Sequence, residues 1–539
     1  SYYLEAKNIF AKTLGKESPE YAINLTNLAA LYNDLGKYDK VEDIYLEAKA
    51  NQEKSPGKES VEYAATLNNL AWFYFETGQY IKAKQFFIEA NQLFAIVFGK
   101  DHEYYVATLT NLASFYYEIG QYGKAELLFL EAKDILEKTL GKENHSYAAT
   151  LINLGALYSD IGQYNKAASI YQEAIHIFEK VLGKSHPDYA TSLANLGNLY
   201  YKTGKYADAE MLWGEAKNIR QKALGNYHPD YATSLNNLAE LYSNNGQYAK
   251  AESLFLEAQD IWAKTLGVSH QLYAASLQNL AQMYTMKGDF DKAESLLLEA
   301  KGIFAETLGK DHPNYAAALS GLTWIYRSSN RISESAPLFL ELNGTIRNLI
   351  EKSASYFSEK EMLAYLQTYE EDLAQFHSFS QINPTREFIC GSFDNALFYN
   401  GYLLENARNL DRSVAKADSL TRDTFDRWRG CKRRLANEYA KPKNKRRYVA
   451  ELEAEAEGYE KTLTRNLPTF GKTRQVPHWQ DVRDHLRTGE AAIEFVHYRY
   501  YNPEVTDSML YAALVLLPGD ICPHLVPLCE QSPLDSLLS

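Results

Sequence analysis

Cysteine is scarce. The 539-residue chain has four, Cys390, Cys431, Cys522 and Cys529, and no two of them form a Cys-x-x-Cys pair. That usage gives no zinc-ligand spacing and leads to an expectation of free thiols in a reducing cytoplasm. No run of 18 apolar residues occurs, so no membrane-spanning helix is expected. No signal-peptide pattern opens the chain, which begins with Ser1 rather than methionine. Positive charge is in deficit. The 56 Lys and Arg residues stand against 69 Asp and Glu, a net charge of −13, which argues against broad binding to nucleic acid or to anionic membranes. Apolar content of 46% and charged content of 23% are those of a folded chain, and the length calls for several folding units.

What the chain has is periodicity. Gly15, Gly57, Gly99, Gly141, Gly183, Gly225, Gly267 and Gly309 fall 42 residues apart without a slip. A single core needs no such interval, so the first two thirds copy one unit that stacks into a solenoid. In the copy from Tyr231 to Gly267, Leu235, Leu238, Ala239, Leu241 and Tyr242 form one helical stripe. Asn244-Asn245-Gly246-Gln247 breaks it, and Gly246 supplies a left-handed turn. Tyr248, Ala251, Leu254, Phe255, Ala258, Ile261 and Trp262 then repeat at three and four residues, which predicts a second helix ended by Gly267. Pro187, Pro229 and Pro313 are helix-start signals. Small residues (Ala239, Ala251, Ala258) alternate with large ones (Tyr242, Tyr248, Phe255), as interlocking helix pairs require. Most of the 42 tyrosines recur with the repeat and read as packing residues.

The order Leu-Ala/Gly, Tyr, Gly, Tyr, Ala, Phe/Tyr, Ala resembles the tetratricopeptide repeat. The step here is longer than the usual one of about 34 residues. The connector Thr307-Leu308-Gly309-Lys310-Asp311-His312-Pro313-Asn314-Tyr315-Ala316 resembles that of kinesin light chains. Eight helix pairs start at Tyr21, Tyr63, Tyr105, Tyr147, Tyr189, Tyr231, Tyr273 and Tyr315, preceded by an orphan second helix. Ser1 aligns with Ser253 inside a copy, so the chain reads as cut there. The eighth pair is degraded: Asn330 replaces the turn glycine, Gly321 replaces an asparagine and Pro337 enters the second helix. It reads as the cap. The expected fold is thus a right-handed α-solenoid of about eight tetratricopeptide helix pairs.

Asparagines keep the same step: Asn27, Asn69, Asn111, Asn153, Asn195, Asn237 and Asn279. The resemblance places the first helix on the concave groove and this position against bound peptide. An asparagine amide donates to and accepts from an extended backbone together, so Asn69, Asn111, Asn153, Asn195, Asn237 and Asn279 are the candidate peptide-binding residues. The competing reading is that each bonds the backbone of the adjacent repeat and sets superhelical pitch. The connector histidines His102, His186, His228, His270 and His312 invite a metal reading. Equivalent residues of stacked helix pairs lie about 10 Å apart, too far to share an ion held by bonds of about 2 Å. No metal and no cofactor are expected.

From about Ser358 the period is lost. Glu359–Phe379 and Phe388–Asn409 read as helices separated by Asn383-Pro384. Residues 408–447 carry 14 Lys and Arg against 5 Asp and Glu. They include Arg427-Trp428-Arg429 and Lys443-Asn444-Lys445-Arg446-Arg447. Nucleic-acid binding is one reading. The other is a helix paired in a hairpin with the acidic run Glu451, Glu453, Glu455, Glu457 and Glu460. After Pro477, Ala491–Tyr498, Met509–Leu517 and Leu525–Cys529 read as strands, with no helix to cover them.

Asn395-Ala396-Leu397-Phe398-Tyr399-Asn400-Gly401-Tyr402-Leu403-Leu404, the hairpin through Trp428 and Glu457, Glu490–Val496 and Tyr511–Leu516 resemble bacterial proteins that join tetratricopeptide repeats to a CHAT domain. That domain is a caspase-like cysteine peptidase fold. The resemblance implies a repeat solenoid over 1–345, a helical connector over 346–480, and over 481–539 the first strands of an α/β caspase-like domain cut short by the chain end. It places the catalytic His and Cys beyond Ser539, so no catalytic residue is assigned. His497 or His524 with Cys522 or Cys529 forms a dyad only on paper, because nothing positions a base or an oxyanion site. The implied function is a cytoplasmic sensor or adaptor arm that binds a protein or peptide and regulates the peptidase. The rival is a non-enzymatic scaffold of the kinesin-light-chain sort.

Overall fold

A computed structural model describes residues 2–119, 121–353, 366, 368–399, 418–439, 452, 455–456, 458–459, 463, 478–501 and 505–531. The chain divides into two compact units, Ser1–Ile325 and Tyr326–Ser539.

The first unit is a run of paired helices. A lone helix α1 (Tyr2–Thr13) is followed by α2 (Pro19–Asp34) and α3 (Val41–Lys54), then by α4 (Val61–Glu76) and α5 (Tyr80–Phe98), α6 (Glu103–Glu118) and α7 (Tyr122–Thr139), and α8 (His145–Asp160) and α9 (Tyr164–Leu182). The series continues with α10 (Pro187–Lys202) and α11 (Tyr206–Leu224), α12 (Pro229–Asn244) and α13 (Tyr248–Thr265), and α14 (Gln271–Lys287) and α15 (Phe290–Thr307). α16 (Pro313–Ser328) reaches the unit boundary, and α17 (Ile332–Ser353), with Pro337 inside it, belongs to the second unit.

Two glycine sets punctuate each pair. Gly246 (φ +73°) and its equivalents make the turn within a pair, and Gly267 (φ +95°) and its equivalents end the second helix. In the eighth copy the turn position is filled by Asn330, at φ +57°, the residue type that tolerates the left-handed region best after glycine. The core lies between the helices of a pair: Ala251, Phe255 and Ala258 of α13 are buried together with Leu235, Leu238 and Ala239 of α12. In two copies the small position is a glycine set against a large ring. Gly197 faces Trp213 and Gly155 faces Tyr171, and a Cβ on either would stand 2.6 Å or 2.5 Å from the ring.

In the second unit, the helix Glu370–Ile382 and helical residues 386–399 pack through Phe339, Phe376, Phe379 and Phe388. Strands β1 (Ala492–Tyr501), β2 (Val505–Leu516) and β3 (His524–Glu530) form an antiparallel sheet in the order β1-β2-β3, with Ala492 opposite Leu516 and Val496 opposite Ala512. One face of the sheet is covered. Val496, Tyr498, Ala512, Leu514 and Leu516 pack on Cys390, Phe393, Ala396 and Trp479. The expectation of strands without helical cover is corrected: the cover comes from helices that precede the strands. On the other face Ile493, Phe495, Val526 and Leu528 are exposed.

Asp394 ties this unit together. It accepts from the Trp479 backbone N–H at 2.7 Å and lies 3.8 Å from Arg347. Cys390 and Cys522 are joined in a disulfide, which corrects the expectation of free thiols for that pair, while Cys431 and Cys529 are free. The pair is separated by 132 residues and meets only through the folding of the sheet onto helix 386–399. The expected helix start at Glu359 and residues 400–409 lie outside the described residues.

Candidate functional site

The first helices begin alike. Ser18, Ser60, His102, Asn144, His186, His228 and His270 occupy one position of the repeat, and each is an N-cap whose side chain accepts a backbone N–H. The histidines do this through Nδ1, with His228 taking the Asp230 N–H and His270 the Leu272 N–H, each at 3.1 Å. Their periodicity is that of a cap, in which neutral imidazole replaces the usual Ser or Asn. Among the described residues no group of His, Cys, Asp or Glu is arranged to hold a metal ion.

Successive first helices approach one another directly (α2 with α4, α6 with α8, α8 with α10, α12 with α14), and among the described residues successive second helices make no comparable approach. The tighter spacing puts the first helices on the inside of the curve. Asn69, Asn111, Asn153, Asn195, Asn237 and Asn279 sit in the middle of α4, α6, α8, α10, α12 and α14 and are half-buried, and Asn27 in α2 is exposed. Asn111 donates to Asn68 Oδ1 at 3.0 Å and Asn279 to Asn236 Oδ1 at 3.1 Å. These rungs join side chain to side chain between adjacent repeats, where the competing sequence reading expected a backbone partner. The amides of Asn69, Asn153, Asn195 and Asn237 make no hydrogen bond among the described residues.

A second rung runs along the ends of the same helices. Asn33 donates to Glu76 at 2.9 Å, Tyr117 bonds Asp160, and Asn244 bonds Tyr201. This row begins with four carboxylates in consecutive repeats, Asp34, Glu76, Glu118 and Asp160. Desolvation raises the pKa of Asp34, Glu76 and Glu118 from the ordinary carboxylate value. Among the described residues none of those three pairs with Lys or Arg, and Asp160 meets Lys202 at 3.1 Å. The row then continues with the cationic Lys202 and the neutral Asn244 and Met286.

The tyrosines pack and also hydrogen-bond. Those that start first helices donate to a glutamate of the same pair: Tyr21 to Glu47 at 2.8 Å and Tyr231 to Glu257 at 3.2 Å. Those near the helix end donate to the preceding pair: Tyr158 to Glu126 at 2.7 Å and Tyr284 to Glu252 at 2.7 Å. Burial, then the neighbouring carboxylate, pushes Tyr21 and Tyr284 up to about 12. The sequence reading missed these partners, although Glu47, Glu89, Glu131, Glu173, Glu215, Glu257 and Glu299 keep the 42-residue step that would have revealed them.

Elsewhere, His497 stacks on Tyr511, His524 lies 3.4 Å from Asp520 and Cys522 is bonded to Cys390. The structure therefore brings no histidine to that sulfur as a base. The helix Ser419–Tyr439 packs on Leu452 and Ala456 through Cys431, and Arg434 meets Glu455 at 2.9 Å, as the hairpin reading expects. Lys443–Arg447 lie outside the described residues. Among the described residues, no helix is long and apolar enough to cross a membrane.

A curved stack of capped helix pairs with a polar inner face defines a helical-repeat interaction protein. The tetratricopeptide repeat model matches residues 62–138, 104–180, 146–221, 188–260, 230–305 and 287–342, together just over half of the chain. The chain belongs to the tetratricopeptide repeat family, and its repeats make it a protein-interaction molecule of scaffold or adaptor type. Among solved structures, a putative kinesin light chain of Podosopora anserina with nearly identical TPR-like repeats is 31% identical, covering 38% of this chain and 96% of its own, with a TM-score of 0.32. BtubC from P. vanneervenii is 24% identical over 42% of this chain and 89% of its own, with a TM-score of 0.35. A Rap protein complexed with competence and sporulation factor is 17% identical over 59% and 88%, with a TM-score of 0.39. No curated protein matches the chain.

Proposed function

We propose that the repeats grip an extended segment of a partner protein along the inner face, through Asn69, Asn111, Asn153, Asn195, Asn237 and Asn279. The observation that carries this is the row of half-buried amides, four of which have no hydrogen-bond partner among the described residues, along helices that line the inside of the curve. Amides spaced one repeat apart hold a peptide backbone at intervals of about three residues, since about 10 Å between helix pairs matches about 3.3 Å per extended residue. The carboxylates Asp34, Glu76 and Glu118 favour a segment bearing Lys or Arg over an acidic one. A 12-residue peptide selected from a displayed library tests the reading. It should crosslink to a photoreactive residue at position 153 and not to one at Leu127, an exposed residue of α7. Crosslinking at Leu127 alone contradicts it.

The finer reading we infer is a sensor arm of a bacterial, cytoplasmic CHAT-type peptidase, with the arm over 1–345, a connector over 346–480 and sheet strands over 481–539. It is supported by the sequence resemblance and by β1 and β2 lying on its two strand motifs. Proteolysis by the full-length protein with and without the repeats tests it. Unchanged and still partner-dependent cleavage contradicts it. Absence of any cleavage favours the scaffold reading.

A further inference from the structure

Of the turn glycines that join first to second helices, Gly36 differs from its equivalents. A Cβ on Gly78, Gly162, Gly204, Gly246 or Gly288 would meet nothing within 4 Å, but on Gly36 it would stand 3.1 Å from Cδ2 of the His270 ring and 3.4 Å from His270 Cα. The histidine differs from His186 and His228 in the same sense. His270 is 6% exposed, whereas the side chains of His186 and His228 are 41% and 40% exposed. The turn of the first repeat therefore touches the N-cap of the seventh. This contact brings the first and seventh repeats of the first unit together.

We propose that the Gly36–His270 contact is a latch on the groove. An extended segment within a longer partner chain reaches the asparagine row only when the first and seventh repeats part. The proposal rests on the peptide-binding reading above and adds its regulation.

The chemistry of the latch makes it proton-sensitive. His270 Nδ1 accepts the Leu272 N–H at 3.1 Å, and the far side of the ring faces the Asp34 backbone carbonyl. The first contact uses neutral imidazole; the second, an Nε2–H donated to the carbonyl, persists in the imidazolium and partly opposes the effect of burial. Protonation puts a hydrogen on Nδ1, loses the cap, and sets a cation at a helix N-terminus, where the macrodipole opposes it. Burial lowers the pKa of His270. The carboxylate on the facing element is Asp34, itself held up by burial. On the neighbouring elements, Lys264 pairs with Asp260 and Lys287 with Glu252, and among the described residues no ion pair offsets a charge on His270. The closed state thus binds the proton less readily than the open one, and lowering the pH below about 6.5 favours opening.

Fluorophores on genetically encoded residues at positions 39 and 264, both exposed, read the distance across the latch by energy transfer. The unchanged protein should give one short distance at pH 7.5 and a longer one at pH 5. His270→Ser keeps a cap of the kind that Ser18 and Ser60 provide and removes the ring, so it should give the long distance at both pH values. His228→Ser, at an open position, should change nothing. Gly36→Ala and Gly204→Ala impose the same backbone strain, and only the first should lengthen the distance. A His270→Ser array with the distance of the unchanged protein overturns the latch. For the selected 12-residue peptide carried within a loop of a fused domain, His270→Ser should raise the association rate several-fold. An opened array with an unchanged rate overturns the gate and leaves the asparagine reading standing. Failure of the peptide to bind either form overturns the asparagine reading and, with it, the gate.

Discussion

Gly197 and Trp213 are matched in size: a Cβ on the glycine would lie 2.6 Å from the indole Nε1, which donates to the Ala194 carbonyl at 3.1 Å and to Asn198 Oδ1 at 3.0 Å. The equivalent pair two helices on is Ala239 with Phe255. Gly197→Ala alone should therefore destabilise by about 1–3 kcal/mol. Combined with Trp213→Phe, which recreates the Ala–Phe pairing, it should cost clearly less than the sum of the two single changes. Urea unfolding followed by circular dichroism checks this, and strict additivity contradicts it.

The inter-repeat tyrosine bonds make a second comparison available within the chain. Tyr158 donates to Glu126 at 2.7 Å while Lys166 lies 3.6 Å from its ring centroid. The equivalent tyrosine of the next repeat, Tyr200, has Ala168 where that glutamate would be. Tyr158→Phe should cost about 1–2 kcal/mol and Tyr200→Phe less than about 0.5 kcal/mol. Equal losses in unfolding midpoint contradict the assigned partner.

His312 gives a pH prediction with a definite sign. Its Nδ1 accepts the Asn314 N–H at 3.1 Å, and burial lowers its pKa from 6.5 to about 4. The unfolded chain takes up a proton near 6.5 while the folded protein resists it, so stability is lost as pH falls from about 6.5 towards 4. His312→Ser retains a cap and removes the titration. Its melting temperature should fall less over that range than that of the unchanged protein. Parallel curves contradict the assignment.

The helix pairs were legible because each is specified by local residues: a cap, an apolar stripe, and a glycine whose positive φ excludes other side chains. Asn330 in the eighth turn was legible for the same reason. The histidines misdirect because residue type alone does not separate a cap from a ligand, whereas position at a helix start does. Non-local facts were not legible. The Cys390–Cys522 pair, the helices covering the sheet, and the meeting of Gly36 with His270 depend on how distant segments fold together, and no spacing encodes them. For the asparagines the sequence shows their period, and the structure adds which amides bridge repeats and which do not.

The central claim is that the inner-face amides hold a peptide backbone. The most direct measurement is calorimetric affinity of the selected 12-residue peptide for the unchanged protein and for Asn153→Ala/Asn195→Ala, with melting temperature as the control for folding. Among the described residues neither bonds another repeat, so the account predicts at least a tenfold loss of affinity with a melting temperature within a few degrees. An unchanged affinity, or a loss that appears only with a collapse in stability, contradicts it.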